Sequence, residues 1–251
     1  MRKTKIVCTL GPAIDNPEIL RKIFKCGLDV ARLNFSHGTY EEHQERIDRF
    51  KAIRAELNKP AALLLDTKGP EIRLKTFKNG KIILKQGETF TLTTNDIEGD
   101  ENIASVTYPG LPSDLTKGDK ILIDDGLIEL KVTGINTTDV VCQVIDGGEV
   151  SNRKGINLPG ITVGIPFLSN ADKEDILFGI KNDFDYIAAS FVRNAEDVKQ
   201  IKAFLEENNG SFIKVISKIE NHDGVKNIDE IVRVSDGIMV ARGDMGVEIP
   251  F

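Results

Sequence analysis

The sequence has little of what marks secreted, membrane-bound or nucleic-acid-binding proteins. Its three cysteines are odd in number, widely spaced and without a paired set of histidines, which fits reduced thiols in a cytosolic protein better than disulfides or a zinc site. No apolar run approaches membrane-spanning length, and the first residues lead into a strand-like segment without the apolar core of a signal peptide. The net charge of −6 includes no basic block, which argues against binding to nucleic acid.

Two glycine-rich motifs that hold nucleotides in other folds are also missing. No Gly-x-Gly-x-x-Gly loop follows the first predicted strand, and no Gly-x-x-x-x-Gly-Lys occurs in the chain. Any nucleotide would therefore be held by side chains and metal. With 251 residues and 29% charged residues, the chain has the size and composition of an ordinary globular protein with one large domain or two smaller ones.

Strand-like and helix-like segments alternate along most of the chain. Apolar runs rich in β-branched residues predict six buried strands. These strands start near Lys5, Val30, Ala61, Tyr186, Val215 and Gly237. Capping residues predict helices that start at Asn16-Pro17, Thr39, Ser169 and Asn194, with a further helix over 223–234. Strand–helix units in series predict a parallel sheet with right-handed crossovers.

The pattern changes at Gly69. From there to about Pro166 the chain has short alternating segments with frequent turn signals, and 13 of its 22 glycines lie in this stretch. These short segments and frequent turns predict an all-β domain inserted after the third strand. The sequence therefore predicts one α/β domain in two parts, 1–68 and 167–251, and an inserted domain over 69–166.

Four of the six predicted strands end in charged or acceptor-rich residues, and the first and fourth do not. These ends are Arg32/Asn34/Ser36, Asp66/Thr67, Lys218/Glu220 and Arg242/Asp244. In a (β/α)8 TIM-type barrel such ends meet at one mouth, whereas in a doubly wound sheet they spread along an edge. Because the dinucleotide loop is missing, the barrel is favoured, in an incomplete form with about six of its eight units.

Lys218 and Glu220 lie two residues apart at the end of a predicted buried strand, so their side chains point to the same face. Burying a cation and a carboxylate there costs desolvation energy. One interpretation is a structural ion pair that closes the strand. The other is a metal-ligating carboxylate beside a lysine that faces an anion. These residues alone leave both interpretations open.

Five motifs resemble those of pyruvate kinases in order and spacing. They are ARLNFSHG at 31–38, LDTKGPEIR at 65–73, KGINLPG at 154–160, the SKIEN stretch within 213–225, and MVARGDMGVEIP at 239–250. The similarity extends over essentially the whole chain. It implies a (β/α)8 barrel with a β-rich lid inserted after the third strand.

The resemblance also implies an activity, the transfer of a phosphoryl group from phosphoenolpyruvate to ADP, with Mg²⁺ (or Mn²⁺) and usually K⁺. Phosphoryl transfer requires positioning and cations rather than a covalent nucleophile, and Arg32, Arg73 and Lys218 would be the catalytic cations. By resemblance, Glu220 and Asp244 are the ligands of the divalent metal, for which their hard oxygen atoms are suited.

Further roles are implied in the same way. Arg32 would contact the substrate phosphate, Lys218 would stabilise charge on the phosphoryl group and the enolate, and Gly243 with Asp244 would contact the substrate. The implied nucleotide-binding residues are Arg73, Lys154, Asn34 and His37. The implied K⁺ ligands are Asn34, Ser36, Asp66 and Thr67. Since Lys154 lies in the insert, closure of this lid would carry a cation over the nucleotide and exclude water. Taken alone, His37 is more typical of a surface or capping residue, and Asp66 could equally be a helix N-cap.

Members of the family continue well beyond this length, so we expect a fragment without the last two barrel strands and the C-terminal domain. A homo-tetramer is expected for the full-length family. An open six-stranded barrel would expose two edges, and we therefore expect the isolated chain to fold poorly or to have little activity. Two alternatives are an inert remnant that binds metal or nucleotide, and an aldolase or lyase that acts on phosphoenolpyruvate or 2-oxo acids. The second leaves the Lys154 motif unexplained.

Overall fold

The computed structural model describes residues 3–249. This part of the chain divides into two compact units. The first comprises residues 3–69, 168–218 and 228–239, and the second comprises residues 70–167, 219–227 and 240–249. The three cysteines are free. Within the described residues, every helix is too short or too polar to cross a membrane.

Fifteen strands and eight α-helices follow one another in the described chain. The strands are β1 (Val7–Thr9), β2 (Val30–Asn34), β3 (Ala62–Asp66), β4 (Ile72–Arg73), β5 (Lys81–Leu84), β6 (Thr89–Thr93), β7 (Ile103–Ser105), β8 (Lys120–Ile123), β9 (Ile128–Ile135), β10 (Asp139–Asp146), β11 (Gly148–Ser151), β12 (Gly155–Asn157), β13 (Tyr186–Ala189), β14 (Lys214–Ile219) and β15 (Gly237–Val240). The helices are α1 (Pro17–Cys26), α2 (Tyr40–Glu56), α3 (Leu111–Asp114), α4 (Asn170–Lys181), α5 (Ala195–Glu207), α6 (His222–Lys226), α7 (Ile228–Val234) and α8 (Arg242–Glu248), with a 3-10 turn at Pro12–Ile14.

A six-stranded sheet organises the first unit. Its strand order is β1-β2-β3-β13-β14-β15, which is the order of the strands along the chain once the insert is left out. The pairs β1–β2, β2–β3, β3–β13 and β13–β14 are parallel. A doubly wound sheet reverses its strand order at a switch point, and this sheet does not. The α/β architecture of an incomplete (β/α)8 barrel, predicted from the sequence, is confirmed.

Local signals set the ends of the helices that follow these strands. Asn16 caps α1 by accepting a hydrogen bond from the backbone of Glu18, and Gly27 ends this helix with a φ of 104°, a left-handed conformation that glycine adopts without strain. Thr39 and Glu42 form the predicted capping box of α2. These short-range contacts fix where each helix begins and therefore where the loops after β1 and β2 end.

One predicted helix is divided in the structure. The sequence predicts a single helix over 223–234, but α6 ends at Lys226 and α7 begins at Ile228, with Asn227 as the C-cap of α6. Gly224 lies in the first turn of α6. Glycine and asparagine are weak helix formers, and asparagine favours helix ends, which accounts for the break.

Residues 70–167 of the second unit, which correspond to the insert predicted over 69–166, are rich in β-structure. The seven-stranded sheet of the insert has the order β4-β12-β8-β9-β10-β6-β7, and β5 pairs with β11 in a second sheet of two strands. Alternate residues of the longer strands are buried, and Phe90, Leu92, Ile121, Leu130 and Val140 are completely buried in its core. This alternation is the period-2 pattern by which the sequence predicts these strands.

A hydrogen bond between Tyr40 and the buried Asp175 joins α2 to α4 within the first unit. Tyr40, the first residue of α2, donates its hydroxyl hydrogen to Oδ1 of Asp175 at 2.7 Å. Asp175 is 8% exposed. The pKa of Asp175 is raised to about 6, mainly by burial and also by the charges of Asp172 and Glu174, against the lowering effects of the Tyr40 hydrogen bond and the charge of Lys68.

Replacing Asp175 by asparagine should change the pH dependence of stability. A raised carboxyl pKa means that the folded state binds the proton more tightly than the unfolded chain, so this stabilisation is complete below pH 4 and is lost as the pH rises to about 6. Because the asparagine side chain cannot ionise, the free energy of unfolding of Asp175→Asn relative to wild type should increase by up to about 3 kcal/mol between pH 4 and pH 7. Urea titrations at both pH values measure this difference.

Asp183→Asn is the matched control, because the Asp183 side chain is 79% exposed and forms a surface ion pair with Lys51. Its effect on the free energy of unfolding should stay within about 0.5 kcal/mol. A difference between Asp175→Asn and wild type that is the same at both pH values would contradict the assignment of a buried, proton-binding carboxyl group.

Candidate active site

Asp66 is the centre of a buried charge cluster in the first unit. It is the last residue of β3 and is 1% exposed. Its Oδ2 accepts a hydrogen bond from Nε of Arg32, and its Oδ1 accepts one from Nζ of Lys218 at 3.0 Å. The structure thus brings together two of the three predicted catalytic cations around one of the predicted K⁺ ligands.

Ser190 completes this cluster, and the sequence analysis missed it. Its Oγ accepts a hydrogen bond from Nζ of Lys218 at 2.8 Å and donates to the carbonyl oxygen of Thr67 at 2.6 Å. The next residue, Phe191, has a φ of 55°, a strained conformation for a bulky residue that is most often found at functional sites. Gly69 has a φ of 69°, and a Cβ atom at this position would lie 2.9 Å from Cβ of Ser190, so only glycine fits here.

Thr9 is the second residue of the cluster that was missed. It ends β1, pairs in register with Arg32, and accepts a hydrogen bond from Nη1 of Arg32 at 2.7 Å through Oγ1. The first and fourth strands are not among those that the sequence predicts to end in acceptor-rich residues, yet a hydroxyl group at each end accepts a hydrogen bond from a predicted catalytic cation. Their ends carry Thr9 and Ser190, single hydroxyl residues that are a weaker sequence signal than a charged residue.

The remaining predicted K⁺ ligands lie next to Asp66. Asn34 ends β2 and pairs in register with Asp66, and its Oδ1 accepts a hydrogen bond from the backbone of Ser36 at 3.0 Å. Thr67 is 4% exposed, and its backbone N–H donates to the carbonyl oxygen of Ala188 at 3.1 Å. Amide, hydroxyl and carboxylate oxygens are thus concentrated at the ends of β2 and β3.

The side chain of His37 is not part of this cluster. It is exposed, and its backbone carbonyl oxygen is hydrogen-bonded to Nε2 of the buried His43 at 2.9 Å. Stacking of His43 on Phe35, with ring centroids 4.3 Å apart, holds the loop between β2 and α2 against the unit's core. The loop therefore presents His37 to solvent.

The second unit contains the two predicted phosphate-binding cations on neighbouring segments of the insert. Arg73 lies on β4 opposite Gly155 of β12, which directly follows Lys154. Nη2 of Arg73 donates to Oε2 of Glu71 at 2.7 Å, and this hydrogen bond, opposed by burial and aided by charge, raises the pKa of Arg73. Nζ of Lys154 lies 2.8 Å from Oδ1 of Asp124. The two predicted phosphate-binding cations thus lie on neighbouring segments of the insert, each with an acidic partner that the sequence analysis missed.

Glu220 and Asp244 also lie in the second unit, at the ends of neighbouring strands. Glu220 directly follows β14 and is 1% exposed, and Asp244 is half-buried in the first turn of α8. The backbone N–H of Ala241 donates to the carbonyl oxygen of Ile219 at 3.3 Å, so the chain segments that carry the two carboxylates are directly linked. Gly243 has no atom within 4 Å of where a Cβ would be, which leaves its backbone open to a ligand.

Glu248, one turn after Asp244, is a further carboxyl group that the sequence analysis missed. Its Oε1 accepts a hydrogen bond from Nδ2 of Asn157 at 2.8 Å. Burial raises the pKa of Glu248, the Asn157 hydrogen bond lowers it, and the charge of Asp244 raises it. Within residues 3–249 there is no group of three or more acidic, histidine or cysteine side chains suited to hold a metal, so a metal here would need other oxygen ligands besides the protein carboxylates.

Comparison with known proteins gives a consistent result over the whole chain. Residues 1–251 match the family model described as pyruvate kinase, barrel domain. The pyruvate kinases of Sporosarcina psychrophila and Staphylococcus haemolyticus are each 52% identical to this chain over 252 aligned positions, as is that of Staphylococcus aureus strain MRSA252. Each alignment covers all of this chain and 43% of the relative, so the chain spans less than half the length of these relatives.

Proposed function

The chain belongs to the pyruvate kinase family, and we propose that it carries the residues for phosphoryl transfer from phosphoenolpyruvate to ADP. The observation that supports this proposal most is the cluster of Arg32 and Lys218 on the buried Asp66. Two cations held in fixed positions at strand ends are what binding and stabilising a transferring phosphoryl group requires. The activity is a proposal for this chain, which covers 43% of its relatives.

We propose separate roles for the two cations. Arg32 is held by Asp66 on one side and Thr9 on the other, which orients its planar guanidinium for an anion such as the substrate phosphate. Lys218 is a point charge that stabilises negative charge on the phosphoryl group and the enolate oxygen. Both side chains are largely shielded from water, 28% and 12% exposed, which strengthens these interactions.

Glu220 and Asp244 fit a divalent cation by the chemistry of their donor atoms. Carboxylate oxygens are the ligands that Mg²⁺ and Mn²⁺ prefer, and Mg²⁺ sites in phosphoryl-transfer enzymes use one or two carboxylates, with water and substrate oxygens as the other ligands. Bound there, the metal would neutralise charge on the reacting phosphoryl group. Gly243, with open space above its backbone, would let the substrate carboxylate approach.

The oxygen donors around β2 and β3 fit a potassium ion. Asn34, Ser36, Asp66 and Thr67 provide amide, hydroxyl and carboxylate oxygens at the ends of two paired strands. Asp66 already accepts hydrogen bonds from Arg32 and Lys218, but a carboxylate has about four acceptor positions and can take a further partner. A monovalent cation there would add positive charge near the site of the substrate phosphate.

For nucleotide binding we propose the two cations of the second unit, Arg73 and Lys154. Lys154 directly precedes Gly155, which pairs with Arg73, and each cation is held by an acidic partner. Two neighbouring cations suit the adjacent phosphates of ADP.

The proposal is tested by measuring ATP formation from phosphoenolpyruvate and ADP by the 251-residue chain, with and without Mg²⁺ and K⁺. We expect slow ATP formation that requires Mg²⁺ and is increased by K⁺. Nucleotide binding that depends on Mg²⁺ without turnover would instead indicate an inert binding module. Cleavage or formation of carbon–carbon bonds in 2-oxo acids without ADP would indicate a lyase or aldolase.

A further inference from the structure

The insert is hydrogen-bonded to both short segments that carry the proposed divalent-metal ligands. Asn157, the last residue of β12, donates from Nδ2 to Oε1 of Glu248 in α8 at 2.8 Å. Thr162 donates from Oγ1 to Oδ2 of Asp223 in α6 at 2.9 Å. All four residues belong to the second unit.

The contact at Glu248 bears directly on the position of Asp244. The two residues are four apart in α8, so their side chains lie on the same face of the helix, one turn from each other. The same helix also packs against the turn between β8 and β9, since a Cβ atom built on Gly126 would lie 3.6 Å from Cγ1 of Val247. Two contacts at the end of α8 therefore limit the movement of the helix that carries Asp244.

Asn157 also lies close to the proposed phosphate-binding cations. Lys154 directly precedes β12, and Gly155 at the start of this strand pairs with Arg73 of β4. Because a strand is a stiff element that advances about 3.3 Å per residue, fixing Asn157 fixes the position of Lys154 three residues earlier. The Asn157–Glu248 hydrogen bond thus connects the segment that carries Lys154 to α8, which carries the proposed metal ligand Asp244.

We propose that Asn157 and Glu248 are positioning residues whose hydrogen bond holds the Asp244 carboxylate in place relative to Lys154 and Arg73. The Thr162–Asp223 hydrogen bond acts in the same way on the segment that carries Glu220. This inference rests on the proposed function, since it takes Asp244 and Glu220 as metal ligands. Mg²⁺ and Mn²⁺ require well-defined ligand geometry, and hydrogen bonds behind the ligands commonly determine metal affinity.

Asn157→Ala tests the inference, because it removes the donor without changing the charge near Asp244. We expect the dissociation constant for Mn²⁺, measured on the whole chain by electron paramagnetic resonance, to increase about tenfold. Thr162→Val, which keeps the shape of the side chain and removes its donor, should have an effect in the same direction. Glu248→Gln should stay close to wild type, because its amide oxygen can still accept the Asn157 hydrogen bond.

Asn136→Ala is the matched control, since it removes a similar hydrogen bond from Nδ2 of Asn136 to Asp139, 3.1 Å long, elsewhere in the insert. It should leave the Mn²⁺ affinity unchanged. Amide hydrogen exchange in α8 is measured on the same variants and should become faster in Asn157→Ala. If Asn157→Ala exchanges faster in α8 but binds Mn²⁺ with unchanged affinity, the positioning role is refuted. If exchange in α8 is unchanged, the Asn157–Glu248 hydrogen bond does not stabilise this helix and the inference also fails. A wild-type chain that binds no Mn²⁺ would refute the proposed function, and this inference with it.

Discussion

Replacing Asp66 by alanine is expected to lower the free energy of unfolding by about 3–5 kcal/mol, the cost of removing one partner from a buried ion pair. Asp66 is 1% exposed and is hydrogen-bonded to both Arg32 and Lys218. Without the carboxylate, two cations stay in a site with little water and repel each other. Urea titration of the whole chain, followed by far-ultraviolet circular dichroism, measures this loss.

Two further variants test whether burial of the Asp66 carboxylate is the cause of this loss of stability. Asp96→Ala removes an ion pair of similar length, 2.8 Å to Lys75, but the Asp96 side chain is 85% exposed, so the loss should be below about 1 kcal/mol. Asp66→Asn keeps the shape and one acceptor, and should be less destabilising than Asp66→Ala. Equal losses for Asp66→Ala and Asp96→Ala would mean that Asp66 does not hold the two cations in the way the structure indicates.

The parts of the fold that the sequence predicts are those with local causes. The capping box of Thr39 and Glu42 involves residues three apart, and the left-handed Gly27 ends its own helix. Buried strands such as Ala62–Asp66 are visible as apolar runs because both faces of a parallel sheet are covered. The break of the predicted helix 223–234 at Asn227 was missed because the apolar pattern continues through it, although the weak helix formers were visible in the sequence.

The sequence predicts the charged residues of the candidate site, but it does not predict the partners that form hydrogen bonds with them. Thr9 lies 23 residues from Arg32 in the chain, and Asn157 lies 91 residues from Glu248. No periodicity relates residues at such distances, and a threonine or asparagine alone is more typical of a turn or a surface. Ser190 could have been identified as a candidate, since it follows a buried strand whose parallel neighbour carries Lys218.

Under the proposed function, replacing Lys218 by methionine is expected to reduce the rate constant for ATP formation about 10²–10³-fold, with a much smaller change in the KM for phosphoenolpyruvate. Methionine approximates the length and volume of lysine but cannot stabilise the charge that develops on the enolate oxygen. An interaction that is stronger in the transition state than in the bound substrate acts on kcat rather than on binding. Single-turnover measurements of ATP formation, with wild type and variant under the same Mg²⁺ and K⁺ concentrations, give the comparison.

Binding of oxalate in the presence of Mn²⁺ adds a measurement that needs no turnover, because this planar dianion resembles the enolate of pyruvate. The loss of a charge-assisted hydrogen bond should weaken oxalate binding to Lys218→Met about 10–100-fold. Lys199→Met is the control, since the Lys199 side chain is 59% exposed and lies 3.8 Å from Glu196 on the surface of α5. If Lys218→Met binds oxalate as wild type does while its free energy of unfolding falls, Lys218 is only the structural partner of Asp66.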